Sequence, residues 1–364
     1  MHFGLFCLNT QRDPAKTPRE IYRETIEHVR LAEEVGFEIA WFAEHHFSNY
    51  CLCPSPLTMT SYAAAKTGRI KLGPAVVVVP LYEPIRLLED IGLADQLSDG
   101  RLVLGFGTGY QEYEFHKFGV DLKEARTIFF ETLDFIDAYF AGDPLSFNGK
   151  RIRMPETYFS VRTVQKRPPV YIAGMAGEPQ AQQRAVARGY VPFFTTGWST
   201  LEATRQTRAK VAEAYAAAGG DVALMPYAMQ RYVFVTDDKK AALKAADGAR
   251  YVRRVAQAMR GKYGELEGSF LKETPAADEP PLEEIVERLL IGDPATVAEK
   301  LVREIETLTP THISCFMGIP GLSQAEILGS IGRFGTEVVP LLERHFGKLA
   351  GLGAPAGAAK VAAA

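Results

Sequence analysis

The chain has 364 residues, of which 47% are hydrophobic and 23% charged, and its 41 basic and 44 acidic residues give a net charge of −3. This composition is typical of a globular protein with a large core, and it excludes disordered, collagen-like and disulfide-scaffold classes. A charge this close to neutral gives no long-range attraction to nucleic acid or to an anionic membrane, so we expect a small-molecule partner and neither nucleic-acid nor membrane binding.

The cysteines and the apolar runs indicate a reduced, cytoplasmic protein. Four cysteines are too few and too scattered for a disulfide framework, and their spacing matches no zinc motif. The longest apolar run, residues 75–81, is far shorter than a membrane span, and the first residues do not have the pattern of a signal peptide.

Short apolar runs alternate with longer amphipathic segments along the chain. The runs predict eight strands, at 2–8, 37–42, 71–79, 101–107, 169–173, 190–195, 226–235 and 311–317. The amphipathic segments predict helices at 18–35, 57–66, 84–97, 123–141, 179–188, 202–217, 239–259, 294–307 and 323–346. Start signals support three of these helices: Thr17 with Glu20, Ser199 with Glu202, and Ser323 with Glu326.

Eight strand–helix units in succession predict a (β/α)8 TIM barrel of the α/β class. We expect one barrel domain over residues 1–348, with an insertion at 144–168, a lid loop at 261–281 and a disordered tail at 349–364. A doubly wound open sheet is the alternative. It is disfavoured because Asn9 to Arg12 stand where the glycine-rich dinucleotide turn would follow the first strand.

Titratable residues end the second predicted strand, where a barrel carries its chemistry. Glu44, His45 and His46 stand there in succession. A histidine at this position is suited to act as a base or hydrogen-bond donor over a bound ligand, and simple packing is the other interpretation. Because adjacent strand residues point to opposite faces, the two histidines are poorly placed to bind one metal ion, and we predict no metal site.

Small and apolar residues end the next strands. Ala75 and Val76 suit the wall of a pocket for a flat ring. The turns after strands four and five hold glycines that let a backbone approach an anion, and hydroxyl groups follow strand six. The residues that we assign to cofactor binding are Ala75, Val76, Gly107, Thr108, Gly174, Met175, Ala176, Gly177, Thr195 and Thr196. Together they suggest a phosphorylated planar cofactor, and flavin mononucleotide (FMN) fits.

Several segments in this order resemble the bacterial-luciferase-like flavin monooxygenases, from His2 to about His345. The segments that carry the resemblance are Phe3–Phe6, Trp41 with Glu44–Phe47, Leu72–Pro80, Pro84–Arg86, Glu89–Asp90, Asp95–Arg101, Gly105–Gly109, Glu114–Phe115, Phe118–Gly119 and Ile291–Pro294.

The resemblance implies a barrel enzyme in which reduced FMN reacts with dioxygen to give a flavin peroxide that oxygenates a small organic substrate. It further implies a separate NAD(P)H-dependent flavin reductase and a homodimer packed through the helices after strands two and three. His45 resembles the family's catalytic histidine, with Glu44 beside it, and Ala75-Val76 resembles a strained peptide bond under the flavin ring. Phe6, Tyr110 and Trp198 are the candidates for substrate contacts.

Two positions depart from the luciferases. Gly107 and Thr108 replace a cysteine and a phosphate-binding arginine, and Met175-Ala176 replace an acidic residue and a serine. Phosphate binding would then rest on backbone amides, Thr108 and a basic residue such as Arg126, and light emission is not inferred. A deazaflavin- or nicotinamide-linked reductase on the same barrel, a metal-dependent barrel hydrolase and a non-catalytic flavin-binding protein remain alternatives.

Overall fold

Parallel strands and helices alternate along the computed structural model, which describes residues 1–175, 177–260, 265–275 and 279–352. The strands are β1 (His2–Cys7), β2 (Ile39–Phe42), β3 (Lys71–Pro74), β4 (Val77–Val78), β5 (Leu104–Gly107), β6 (Leu145–Asn148), β7 (Arg153–Thr157), β8 (Val170–Ala173), β9 (Val191–Thr195), β10 (Ala228–Val235), β11 (Leu266–Glu267), β12 (Phe270–Leu271), β13 (Leu290–Gly292) and β14 (His312–Phe316). The α-helices are α1 (Pro18–Glu34), α2 (Pro56–Ala64), α3 (Pro84–Leu97), α4 (Glu112–Phe118), α5 (Ala125–Ala141), α6 (Pro179–Arg188), α7 (Leu201–Ala217), α8 (Lys239–Ala258), α9 (Leu282–Arg288), α10 (Pro294–Leu308), α11 (Gln324–Arg333) and α12 (Val339–Phe346).

The parallel strands close into a barrel. Their order is β3-β2-β1-β14-β10-β9-β8-β5-β4, and β3 and β4 are consecutive segments of the third predicted strand. The sheet therefore begins and ends on the same strand, which gives eight positions around the barrel. The TIM barrel expected from the sequence is confirmed, and the open doubly wound sheet is wrong.

The third strand differs from its prediction as one continuous run. β3 pairs with β2, whereas β4 pairs with β5, and the peptide bond between Ala75 and Val76 in the gap is cis. The amide of Val78, in β4, donates to the Glu44 carboxylate at 3.0 Å. A side chain therefore accepts a hydrogen bond that a strand amide usually donates to the backbone of a neighbouring strand. An apolar run in sequence does not reveal that its two halves pair with different strands.

Local signals predicted some helix boundaries and missed others. Both Thr17–Glu20 and Ser323–Glu326 form the expected capping boxes. The Ser199 cap is wrong, since Thr200 is the N-cap and accepts from the Ala203 amide at 3.2 Å, and α7 begins at Leu201, one residue before the predicted start at 202. The last predicted helix is interrupted by a π-helical turn over Phe334–Val338. Three short elements, α4, α9 and β13, were not predicted because each is only a few residues long.

The insertion, the lid and the tail are described in part. β6 and β7 form an antiparallel hairpin within the insertion. Of the predicted lid, 261–264 and 276–278 lie outside the described residues. The part between them forms the β11–β12 hairpin, and Asn49 holds it through the amide of Leu271 and the carbonyl of Ser269. Residues 349–351 of the predicted tail form a helical turn, in which the carbonyl of Leu349 accepts from the amino group of Met1 at 2.9 Å, and 353–364 lie outside the described residues.

Large side chains fill the lower part of the barrel interior. Trp41, Tyr171, Phe193 and His312 are buried and contact one another there, and the indole of Trp41 donates to Nε2 of His312 at 2.8 Å. This packing leaves the carboxyl ends of the strands as the accessible end of the barrel. Within the described part of the chain, no helix is long and apolar enough to cross a membrane.

Candidate active site

One carboxylate orients the histidine pair at the end of β2. Oε1 of Glu114, on α4, lies 2.9 Å from Nδ1 of His45 and accepts from the backbone amide of His46 at 2.8 Å. Because a carboxylate accepts, Nδ1 of His45 carries the proton and donates it, which leaves Nε2 for a ligand. The side chain of His45 is 12% exposed, whereas that of Glu114 is 1% exposed.

Glu44 lies below the carboxyl ends of the strands, where its carboxylate joins neighbouring segments by hydrogen bonds. Its carboxylate is buried and accepts from the amide of Val78 at 3.0 Å and from the hydroxyl of Tyr82 at 2.9 Å, and it lies 3.0 Å from Nε2 of His46. Burial raises the pKa of Glu44, and the hydrogen bond from His46 opposes the rise. The structure therefore places Glu44 as the link between the end of β2 and β4, away from the barrel opening.

Two tyrosines flank His45. The ring of Tyr50 lies 4.7 Å from the imidazole, centroid to centroid, and that of Tyr110 lies 5.9 Å away. Burial raises the pKa of Tyr50, and the neighbouring Tyr110 and Tyr232 hydroxyls add to the rise. Tyr50 therefore stays a neutral phenol that can donate a hydrogen bond. Tyr110 was predicted for the substrate, whereas Tyr50 was missed because no local pattern marks it.

Three glycines in and after β5, Gly105, Gly107 and Gly109, form a closely packed strip that we call the glycine seam. A Cβ on Gly105 would stand 2.3 Å from the carbonyl oxygen of Pro74, and one on Gly107 would stand 2.6 Å from Cγ2 of Val76. Gly109 has φ +71°, a conformation that glycine adopts without cost. Together with Ala75, these residues form a thin wall of backbone and small side chains.

The predicted phosphate turn lies next to this seam. Thr108 is buried, and its Oγ1 would be 3.6 Å from a Cβ on Gly174. Met175 packs partly buried on the core beneath, Gly177 faces open space, and Ala176 lies outside the described residues. The turn leads into α6, whose first amides receive no capping side chain from the described residues.

Arg126, the basic residue considered for the phosphate, stands at this turn but already has a partner. Its Nη2 lies 2.9 Å from the carboxylate of Glu178, the N-cap residue of α6. Its guanidinium also lies over the ring of Phe130. Arg126 is thus positioned beside the turn with its charge neutralised.

Strands on the other side of the mouth contribute aromatic rings. Phe6 packs at 5.5 Å against Phe316, which packs at 4.7 Å against Tyr232. Trp198 is buried after β9. We call this set, Phe6, Trp198, Tyr232 and Phe316, the aromatic side of the mouth. Tyr232 and Phe316 were missed because they lie within long apolar runs.

The two threonines after β9 have different roles. Thr195 is exposed, whereas Thr196 is buried and donates to the carbonyl of Gln230 at 2.8 Å. Arg231 donates to Thr196 Oγ1 and to the carboxylate of Glu304 at 2.6 Å. The hydroxyl of Thr196 is therefore hydrogen-bonded within the protein. Of the two hydroxyls, only that of Thr195 is accessible to a ligand.

The two histidines do not share a ligand direction. His45 turns to Glu114 and His46 to Glu44. Among the residues that the structure describes, no group of three or more His, Cys, Asp or Glu side chains is arranged to hold a metal ion. The geometry therefore gives no support to the metal-dependent hydrolase considered above.

A TIM barrel carries its functional site at the carboxyl ends of its strands, and there this chain has an oriented histidine, a thin glycine-lined wall and a small-residue turn. The chain belongs to the luciferase-like monooxygenase family, whose model matches residues 1–312. It is 35% identical to the uncharacterized protein y4vJ of Sinorhizobium fredii, over 96% of this chain and 99% of that protein.

Other similar proteins carry descriptions of their activity. The oxygenase component of the flavin-dependent trigonelline monooxygenase of Acinetobacter baylyi is 30% identical over 52% of each chain. The oxygenating constituent of 3,6-diketocamphane monooxygenase of Pseudomonas putida, solved with FMN, has a TM-score of 0.75 at 21% identity, covering 94% of this chain and 98% of that one. The coenzyme F420-dependent tetrahydromethanopterin reductase of Methanopyrus kandleri has a TM-score of 0.66 at 21% identity, with 93% and 98% covered. At this identity the two structures establish the shared fold.

Proposed function

We propose that the protein is a monooxygenase that uses reduced FMN and dioxygen to oxygenate a small organic substrate. We further propose that a separate NAD(P)H-dependent flavin reductase supplies the reduced flavin. The observation that carries the proposal is His45, held by Glu114 at the end of β2, the strand that pairs with the one carrying Ala75 and Val76. The named oxygenase component among the relatives supports the second partner.

The residues present fit FMN. Because Gly105 and Gly107 have no space for a Cβ toward the third strand, that wall is backbone and small side chains, against which a planar ring can lie. The turn from Gly174 to Gly177 and the uncapped start of α6 offer backbone amides for a phosphate, and Thr195 offers an exposed hydroxyl. The hydroxyl of Thr108 donates to the carbonyl of Gly109 at 3.2 Å and would have to exchange this bond for one to the phosphate. When bound, reduced FMN supplies the electrons that activate dioxygen.

His45 and its neighbours then position the substrate and control a proton. The Glu114 bond fixes the ring so that Nε2 can hold or accept a proton at the reacting centre. Tyr50 can donate a hydrogen bond beside it. Phe6, Tyr110 and Trp198 provide apolar surface that excludes water from the substrate, which protects a reactive oxygen species from wasteful breakdown.

An anaerobic titration of the purified protein tests the cofactor. We expect reduced FMN to bind more tightly than oxidised FMN, and admission of air to give a transient oxygenated flavin absorbance with oxygen uptake. A deazaflavin serves as the comparison ligand. If the protein binds the deazaflavin and neither form of FMN, the proposal is wrong and the reductase on the same barrel is the correct function.

We also propose a homodimer packed through α2 and α3. Three large apolar side chains are exposed on these two helices: Tyr62, Leu93 and Leu97 are 49%, 47% and 55% exposed. Light scattering measures the mass directly. We expect a dimer that Leu93→Asp with Leu97→Asp converts to a monomer, and a monomeric native protein would contradict the proposal.

A further inference from the structure

Arg253 stands at the barrel mouth, where it stacks on an aromatic ring and forms no ion pair with any of the described residues. Its guanidinium carbon lies 4.5 Å from the centroid of the Trp198 ring. Its Nε is buried without a hydrogen-bond partner, and none of the described residues forms an ion pair with its guanidinium. A buried donor without an acceptor costs free energy, so this arrangement is suited to a ligand that brings the acceptor.

Neighbouring arginines on α8 differ from Arg253 in their ion pairs, although Nε of Arg250 is likewise buried without a hydrogen-bond partner. Arg250 pairs with Asp247 at 2.6 Å, and Arg254 pairs with Glu273 at 3.2 Å and with Glu279 at 2.6 Å. Asp247, Glu273 and Glu279 are thus bound to other arginines. In the part of the chain that the structure describes, no acidic side chain neutralises the charge of Arg253.

The position of Arg253 associates it with the aromatic side of the mouth. It stacks on Trp198, and it lies close enough to Tyr232 to oppose the rise that burial produces in the pKa of that tyrosine. The residues that we assign to FMN follow β5 and β8 or, like Thr195, end β9, whereas Trp198 lies three residues beyond Thr195 and Tyr232 lies in the next strand, β10. A ligand group that reaches Arg253 is therefore next to the surface that we assign to the substrate.

The geometry points to a subsite for an organic anion: we propose that Arg253, stacked on Trp198, binds a carboxylate of the substrate while the aromatic side receives its planar, apolar body. This inference rests on the proposed function. A guanidinium that lies face-on to a ring keeps its N–H edge free, and that edge matches the two oxygens of a carboxylate. Arg260, whose guanidinium lies over Tyr110 at 5.1 Å, adds positive charge near the same opening.

Binding of benzoate and of its neutral analogue benzamide to the FMN-loaded protein tests the proposal by calorimetry. We expect the native protein to prefer benzoate. Arg253→Met should weaken benzoate binding by about tenfold to a hundredfold, the loss expected for hydrogen bonds to a charged group, and leave benzamide binding unchanged. Arg253→Lys should retain part of the preference, which guards against a folding defect.

Arg250→Met is the matched control on the same helix. Asp247 keeps its ion pair with Arg12 at 2.7 Å, so this variant should bind both compounds as the native protein does. Equal binding of benzoate and benzamide by the native protein, or benzoate binding unchanged in Arg253→Met, would overturn the proposal.

The cofactor phosphate is the other anion available, and a flavin pair distinguishes it. If Arg253→Met weakens FMN binding but not riboflavin binding, Arg253 holds the phosphate and the substrate assignment is wrong. We expect both affinities to be unchanged. Failure of the proposed function would be visible separately, as a native protein that does not bind FMN, and the benzoate comparison can then be repeated without flavin.

Discussion

A single oxygen atom of Glu114 lies 2.9 Å from Nδ1 of His45 and 2.8 Å from the backbone nitrogen of His46. This contact fixes both the ring of His45 and the main chain that carries it. The carboxylate belongs to α4, which follows the glycine turn after β5, so the turn and the histidine are coupled through one side chain.

Removal of the imidazole should stop turnover without removing the cofactor. We expect His45→Ala to lower the rate of substrate oxygenation by about 10²- to 10⁴-fold, the usual contribution of a general acid or base, while the Kd for FMN changes little. Glu114→Gln keeps the shape but loses the charge, and we expect a smaller loss. His345→Ala, which removes an exposed histidine paired with Glu306, is the control. Turnover that persists in His45→Ala would refute the role of this residue.

The glycine seam should tolerate no larger residue. Gly105→Ala places a methyl group against a backbone carbonyl, whereas in Gly107→Ala the obstacle is a valine side chain. We expect each to lower the free energy of unfolding by about 1–3 kcal/mol, with the greater loss for Gly105→Ala, because backbone yields less easily. Gly329→Ala in α11, where a Cβ meets nothing within 4 Å, should leave stability unchanged or raise it. Denaturant titration of the three variants decides the order.

Removal of one partner of the buried Arg231–Glu304 ion pair should lower the stability of the protein. Arg231 joins Glu304 at 2.6 Å, and both side chains are nearly inaccessible. Arg231→Met leaves a buried carboxylate unpaired, and we expect a loss of about 3–5 kcal/mol in the free energy of unfolding. The double variant with Glu304→Gln should recover part of it. By contrast, Arg303→Met breaks an exposed pair with Glu299 and should cost about 1 kcal/mol or less. Equal losses in the two single variants would contradict this account.

Acid should destabilise the protein through His28. This histidine, on α1, lines a cavity of about 390 Å³ between α1 and the segment after β14. Burial lowers its pKa from 6.5 to about 4, and the hydrogen bond between its ring and Gln324 partly opposes this effect. Because the unfolded chain takes up the proton at higher pH than the folded one, stability is lost as the pH falls from about 6.5 to about 4.

A shift of this size corresponds to at most about 3 kcal/mol. We expect His28→Gln, which keeps a hydrogen-bonding side chain, to lose less stability over that pH range than the native protein, as measured by denaturant titration at each pH. The buried His2 and His312 remain in the variant, so the difference between the two curves isolates His28. Parallel curves would show that His28 does not titrate in this range.

Local sequence determined the eight strands and most helices of this protein. A short apolar run bounded by turn residues is typical of a strand buried on both faces, and a capping residue such as Thr17 or Ser323 accepts from a free amide three residues into the helix. The position of His45 at the end of a strand also followed from the sequence, because a barrel exposes those ends.

Tertiary structure decided what those residues contact. Glu114 and His45 are 69 residues apart, and Arg253 reaches Trp198 from α8, the helix that follows the next strand, β10. Glu44, which stands next to His45 in sequence, is turned away into a buried set of hydrogen bonds with Val78 and Tyr82. These contacts form because the closed barrel brings strand ends that are distant in sequence close together. At a strand end, a polar side chain turns toward the group with which it can form a hydrogen bond, and sequence does not reveal which group that is.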